Sequence, residues 1–308
     1  MQHFSVDFEL LRLTIEIADQ GSIAAAARKL GMTPSAASRK LAYLEQKLEA
    51  RLFIRTTRHL ELTATGAVFL GWCRQSTRAF ENVVDQIASD QRGPVGLLRI
   101  ACNDYMGPGF VAGALAAIRE EAPRIQFVLT LSDDPIAYLA QGYDVVVQSG
   151  SPPADTWIGR KVTTYQRVLC AHRDYVARHG SPERPDDLVH HSCLVHSRTD
   201  THEWVFREPG GDLVRTKIAR AVEVNSYPLL LDLARRGMGI IRIADVMAQP
   251  HLASGELVTL MPDYPCCEPD GSLPGIWLAY PTRDLPSRTR TLVEELLGRL
   301  RRHYESGH

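Results

Sequence analysis

No stretch of this chain is apolar over the roughly 20 residues that cross a bilayer. The N-terminal MQHFSVDFELLRL has no basic segment leading into an apolar one, so a cytoplasmic protein without membrane contact is expected. Cysteine is sparse, six in 308 residues with no C-x-x-C spacing, which excludes a disulfide-stapled scaffold. Cys73, Cys102, Cys170, Cys193 and the adjacent Cys266 and Cys267 read as buried free thiols, with a redox-sensing pair as the alternative. Net charge is almost absent at −1, so any affinity for a polyanion must come from a local patch. Catalytic signatures are missing too: there is no G-x-S-x-G, H-E-x-x-H or G-x-x-x-x-G-K-[ST]. Gly237-Met238-Gly239 follows a helical pattern and does not open one, so it reads as a C-cap turn and not a dinucleotide loop. His190, His191, Cys193 and His196 carry zinc-ligand chemistry, but Cys193 and His196 lie on a strand pattern where residues three apart face opposite sides. Neither a metal nor a cofactor is expected.

What is present is concentrated between Gly21 and Leu62. Ser22 is placed to cap an Ala-rich helix from Ile23 to Leu30, and Gly31 to end it. Thr33 then caps a second helix with Pro34 at its first position, where the missing N–H costs nothing. Ala37, Leu41, Leu44 and Leu48 recur at helical spacing, and the opposite face carries Ser35, Ser38, Arg39 and Lys40. From Arg28 to Arg58 eight basic residues stand against two acidic ones, a local +6. Two short helices around a glycine turn fit a helix-turn-helix whose second helix enters a major groove. The bland alternative is the solvated face of a helical hairpin. Against it, RLFIRTTRHLELT supplies two β-prone runs around a basic turn, a wing.

The ungapped run AAARKLGMTPSAASRKLAYLEQKLEARLFIRTTRHLELTATG resembles the winged helix-turn-helix of LysR-type transcriptional regulators. The resemblance implies double-stranded DNA as a partner. Ser22, Thr33, Pro34, Ser35, Ser38 and Arg39 would lie at base edges and nearby phosphates, with Arg55, Arg58 and His59 on the backbone. Two positions depart: Ile54 replaces a frequent acidic residue, and His59 stands where a second arginine is common.

Around that segment, Asp7 to Gln20 predicts a scaffold helix with Phe8, Leu11, Ile15 and Ala18 inward. Thr63 can cap a long helix to Ser89, along which Phe69, Cys73, Ser76, Phe80, Val83 and Ile87 form a coiled-coil seam. In the resembled family this helix pairs with its copy, implying a homodimer or homotetramer. Gln91-Arg92-Gly93-Pro94 breaks the chain. Beyond it strands and helices alternate, which predicts a mostly parallel sheet with helices on both faces. AQGYDVVVQSG, RVLCAHRDYVARHGSPERPDDLVHHSCLV and LARRGMGI resemble the family's effector domain, two α/β subdomains like those of periplasmic solute-binding proteins.

The expected organisation is therefore α/β: a winged helix-turn-helix at 1–62, a linker helix at 63–92 and an effector domain at 93–308. Its first subdomain would take about 93–165 and 267–308, its second about 166–266. Ligands of open α/β sheets gather at strand ends where strand order switches. The loops there offer Asn103, Tyr105, Asp134, Gln148, Ser149, Ser197, Asn225 and Ser226 for a small-molecule effector. Tyr105 falls where many members carry a Ser or Thr. Hydroxyls and amides near helix starts favour a polar, anionic effector. RNA polymerase is a candidate further partner. The rival readings are a solute-binding protein, a thiol-based redox-sensing regulator and an enzyme.

Overall fold

The computed structural model describes residues 7–55, 60–92, 95–154, 156–199, 203–283 and 285–305. They form two compact units, Met1–Gly96 with Ala137–Tyr143, and Leu97–Ile136 with Asp144–His308.

The first unit is built on capped helices. Asp7 accepts the Leu10 N–H at 2.8 Å and starts α1 (Phe8–Gln20). Ser22 accepts from Ala25 and starts α2 (Ile23–Lys29); Thr33 accepts from Ala36 and starts α3 (Pro34–Leu48). Gly31 turns between the two helices at φ 69°, a conformation an L side chain resists. The core joins Leu10, Leu13 and Ile17 to Ala26, Ala27, Ala37, Leu41, Leu44 and Leu52. Each buried Leu or Ile there contributes roughly 1.5–3 kcal/mol. The buried face of α1 is thus centred on Leu10, Leu13, Thr14 and Ile17, with Leu11 beside them, while Phe8 is exposed and Ile15 and Ala18 only half-buried. Of the expected inward residues only Leu11 is fully buried: the covered face is turned towards Leu10, Leu13 and Ile17, because α1 packs on α2 and α3 and also on the long helix α4 (Ala64–Arg92).

Between α3 and α4 lies the hairpin of β1 (Phe53–Arg55) and β2 (Leu60–Leu62), antiparallel with Phe53 opposite Leu62. Thr63 donates to the Arg51 carbonyl at 2.6 Å and accepts from Gly66 N–H at 2.8 Å, which caps α4 and ties it to the hairpin. Gly66 is required: a Cβ there would sit 2.0 Å from the Leu52 carbonyl oxygen.

The second unit contains two sheets. The first is ordered β4-β3-β5-β15-β6, from β3 (Gly96–Cys102), β4 (Ile125–Leu131), β5 (Val145–Gly150), β6 (Ile158–Thr164) and β15 (Gly275–Tyr280). A π-helical turn at Gly107–Val111 leads into α5 (Ala112–Glu121). Leu98, Ile100, Val145, Val147, Ile276 and Leu278 pack beneath α5 and α9 (Ser287–Glu305), which contribute Ile118, Leu292 and Leu296.

The second sheet has eight strands, ordered β10-β9-β14-β7-β12-β8-β11 with β13 also on β7. They are β7 (Arg167–His172), β8 (Cys193–His196), β9 (Glu203–Arg207), β10 (Leu213–Lys217), β11 (Arg220–Val224), β12 (Ile240–Ala244), β13 (Leu257–Leu260) and β14 (Cys266–Cys267). Three helices accompany them: α6 (Arg173–His179), α7 (Tyr227–Arg235) and α8 (Asp245–Ala253). Alternate residues serve opposite faces: Leu169, Val195 and Ile240 join one core with Trp204 and Phe206, while Cys170, Leu194 and Ile241 join the other with α7 and α8.

The sheets are mixed and not mostly parallel. β3 and β5 run parallel, but β15 is antiparallel to both its neighbours. In the second sheet only β12, β8 and β11 run parallel. The remainder comes from strands the alternation did not mark. β9 and β10 form a hairpin, β13 and β14 lie antiparallel on β7, and β6 carries charge on its outer face.

Candidate functional site

Two surfaces carry the chemistry, one in each unit. In the first, the caps and Gly31 set where α3 begins, so its first turns present Pro34, Ser35 and Arg39 as exposed residues, with Ser38 half-buried. Thr33 and Ser35 share a hydroxyl contact at 3.2 Å. Ser22 is half-buried and engaged as the cap of α2. Further along the same helix Tyr43 is exposed with the Lys47 ammonium 5.7 Å from its ring centre. Sequence reasoning passed over Tyr43; an aromatic four residues after Arg39 on a polar face was the available signal.

The basic patch is smaller than the count suggests. Lys40 pairs with Glu9 at 2.7 Å, Lys29 with Glu16 at 2.9 Å and Arg51 with Glu45 at 2.7 Å. The hydrogen bond Lys40 donates to Glu9 raises the Lys40 pKa and holds that charge against α1. Arg28, Arg39 and Lys47 stay exposed.

Glu45, read from the sequence only as a charge, is buried and accepts the N–H groups of Leu52 at 2.8 Å and Phe53 at 3.2 Å. It fastens the end of α3 to the start of the wing, so it positions the surface without belonging to it. Arg55 lies on β1; Arg58 and His59 lie outside the described residues. Ile54 is exposed on the same strand.

The α4 seam divides. Cys73 is fully buried and Phe69 packs on the core of its own unit, so that part is covered within the chain. Phe80, 55% exposed, rests against Phe8 at 4.7 Å between ring centres. Val83, Val84 and Ile87 continue the apolar stripe outward, Ile87 at 61% exposure.

In the second unit a narrow recess of about 20 Å³ lies beside the ends of β3, β5, β7 and β12. It brings together Asn103, Tyr105 and Ser149 of the expected set with Met106, Tyr165, Arg167, Tyr227, Ala244 and Met247. Asn103 Oδ1 accepts the Ser149 N–H at 3.1 Å. Tyr105 and Ala244 pack against the cores of both subdomains. Burial, and secondarily the Asp245 carboxylate, raises the Tyr105 pKa. Arg167, almost fully buried, donates to Glu268 at 2.6 Å and to the Tyr165 hydroxyl at 3.4 Å. Tyr227 bonds Thr199 at 2.6 Å and stacks on the buried His196 at 4.4 Å.

The other expected residues lie off this recess. Asp134 pairs with Arg198 at 3.0 Å, and Gln148 donates to the Ser151 carbonyl at 3.1 Å. Ser197 and Asn225 are exposed, and Ser226 caps α7. Arg167, Tyr165 and Met247 escaped sequence reasoning because they come from strand starts and a helix that only the folded sheet brings to β3. The histidines separate as well: His191 meets Tyr175 at 3.3 Å, whereas His196 faces Tyr227.

Comparison with known proteins agrees with this arrangement. Residues 8–67 match the model of the bacterial regulatory helix-turn-helix protein, lysR family, and residues 91–301 match that of the LysR substrate binding domain. The probable HTH-type transcriptional regulator LtrA of Klebsiella pneumoniae is 30% identical over 290 residues, covering 93% of this chain and 92% of that protein. The HTH-type transcriptional regulator DmlR of Escherichia coli is 29% identical over 298 residues, covering 96% and 94%. The crystal structure of ArgP from Mycobacterium tuberculosis shares the fold at a TM-score of 0.70 and 17% identity, covering 96% of this chain and 97% of that one. A winged reading unit followed by a two-subdomain sensor, matched along nearly its whole length, places this chain in the LysR family of DNA-binding, effector-controlled transcriptional regulators.

Proposed function

We propose that the protein acts in the cytoplasm as a homodimer or a dimer of dimers. Residues 1–62 read double-stranded DNA, 63–92 link two copies, and 93–308 sense the effector. Pro34, Ser35, Ser38 and Arg39 enter the major groove, Tyr43 and Lys47 lie alongside, and the wing residues Arg55, Arg58 and His59 follow the backbone. The observation that carries this reading is the capped start of α3, which leaves small polar side chains and one guanidinium exposed on a rigid helix end. The stripe from Phe80 to Ile87 supports pairing, because an exposed apolar face of this kind marks an interaction site. A paired protein presents two readers to two half-sites. The effector occupies the recess between the two subdomains, and RNA polymerase is the partner that reads the outcome.

The redox alternative loses support. All six cysteines are buried, and burial pushes the thiols of Cys73, Cys102 and Cys170 up to about 12. A thiol held protonated is a poor nucleophile towards oxidants. The relatives are transcriptional regulators, which leaves the enzyme and solute-binding readings without support.

The test is DNA binding measured by gel shift on the fragment upstream of the gene. Arg39→Ala should relax sequence preference at a cost of about 1–3 kcal/mol. Lys47→Ala should weaken binding to all sequences and flatten its salt dependence. Phe80→Glu should run as a monomer in light scattering and bind DNA at least about tenfold more weakly, since it places a charge in a desolvated contact. Equal, sequence-independent losses for Arg39→Ala and Lys47→Ala overturn the assignment of the reading face, and a monomeric wild type overturns the assembly.

A further inference from the structure

The exposed side of α3 does not stop at Arg39. Ser35, Arg39 and Tyr43 stand four residues apart and share one face of the helix, turned away from the buried Ala37, Leu41, Leu44 and Glu45. Single exposed apolar residues are ordinary, and Tyr43 is set apart by its place on this stripe. At 49% exposure it stands outside the core of its unit, and Ala42 beside it is exposed and too small to cover the ring. The Lys47 ammonium lies 5.7 Å from the ring centre, a cation–π contact one turn further on that orients the ring. Among the described residues Lys47 has no carboxylate partner, in contrast to Lys29, Lys40 and Arg51.

Spacing decides how far along a groove that ring reaches. At about 1.5 Å per residue, Tyr43 lies about 6 Å beyond Arg39 along the axis and about 12 Å beyond Ser35. Base pairs rise about 3.4 Å each, so the ring comes about two steps past the base that Arg39 meets. Long helical side chains lean towards the N-terminus, which carries the ring back towards the reading end. Gln46 and Lys47 lie a further turn away, where a straight helix parts from a curving groove. A tyrosine side chain is mostly ring, with one polar atom at its tip. In the major groove, the apolar group that a base edge presents is the 5-methyl of thymine.

We propose that Tyr43 is a specificity residue of the reading helix. Its ring packs on the 5-methyl group of a thymine about two base pairs past the base read by Arg39, and Lys47 pairs with the adjacent phosphate and holds the ring in place. This rests on the reading of α3 as the major-groove helix and extends that reading towards the helix's C-terminal half.

The test uses the full-length protein and the DNA fragment upstream of the gene. The stretch it protects is prepared as duplexes in which each thymine in turn is replaced by deoxyuridine, which removes the 5-methyl and leaves the pairing edge intact. At one thymine of each half-site, wild type should bind the deoxyuridine duplex about fourfold more weakly, the transfer of one methyl group. Tyr43→Ala should bind the parent duplex about tenfold more weakly than wild type does, and should bind parent and deoxyuridine duplexes equally. Tyr43→Phe keeps the ring and should keep the methyl effect. Arg39→Ala should also keep it while relaxing preference at its own base. Because Tyr43 is exposed, its variants should stay folded by circular dichroism. Equal methyl effects in wild type and Tyr43→Ala, or no thymine whose methyl matters, overturn the proposal. So does a methyl effect lost in Tyr43→Phe, since the hydroxyl and not the ring is then the contact. If Arg39→Ala relaxes sequence preference while the methyl series is flat, the wider reading stands and only the role of Tyr43 falls. A wild type that binds no DNA removes both.

Discussion

The reading unit and the sensing unit are organised over different distances along the chain. In the reading unit the decisive contacts are short: Asp7 to Leu10, Ser22 to Ala25, Thr33 to Ala36, Thr63 to Gly66, and Glu45 to Leu52 and Phe53. In the sensing unit they are long. Arg167 reaches Glu268 across 101 residues, Asn103 reaches Ser149 across 46, and β15 returns to sit between β5 and β6. A surface that must present a few side chains to a fixed double helix can be built from capped helices and one hairpin. A recess that must respond to a guest is assembled where separate strands end.

The two units should therefore fail separately. The largest effect is expected from Trp204→Ala, which empties the biggest fully buried side chain of the second sheet. The cost should be about 3–5 kcal/mol, and hydrogen-exchange protection should fall across β7, β9 and β12 while α1 to α3 keep theirs. Next comes Glu45→Ala, which leaves two wing N–H groups without their carboxylate. About 3 kcal/mol is expected, with protection lost in the first unit alone. Loss of protection in both units for either variant would break the comparison.

A pH effect should be confined to the sensing unit. Tyr175 accepts from Ser192 N–H at 3.0 Å, and its hydroxyl meets His191 Nδ1 at 3.3 Å. Burial lowers the His191 pKa from its ordinary 6.5; Asp187 opposes the shift, and His179 and His190 add to it. Between the lowered folded value and 6.5 the unfolded chain binds more protons, so stability rises with pH there. It is fully present above 6.5 and is lost as pH falls through the folded value. Urea midpoints at a series of pH values should show that slope, and His191→Phe should flatten it. The smallest effect is a gain. Glu49 ends α3 at φ 51°, left-handed backbone that costs a residue with a Cβ. Glu49→Gly should stabilise the first unit by about 0.5–1 kcal/mol, read as a raised denaturation midpoint.

The capped helices of the reading unit, the polar start of α3, the long α4 and most strands that pass through a buried core can be read directly from the order of residues. Caps, glycine turns and helical spacing act within a few residues, so they are legible where they are written. That Glu45 holds the wing, that Cys73 and Phe69 face their own core, and that the sheets are mixed emerges only in the folded chain. The same holds for Tyr165, Arg167, Tyr227 and Met247 as walls of one recess. None of these is encoded in local spacing. Each depends on which strand lies beside which, and that follows from burying both faces of a sheet at once, a property of the whole chain.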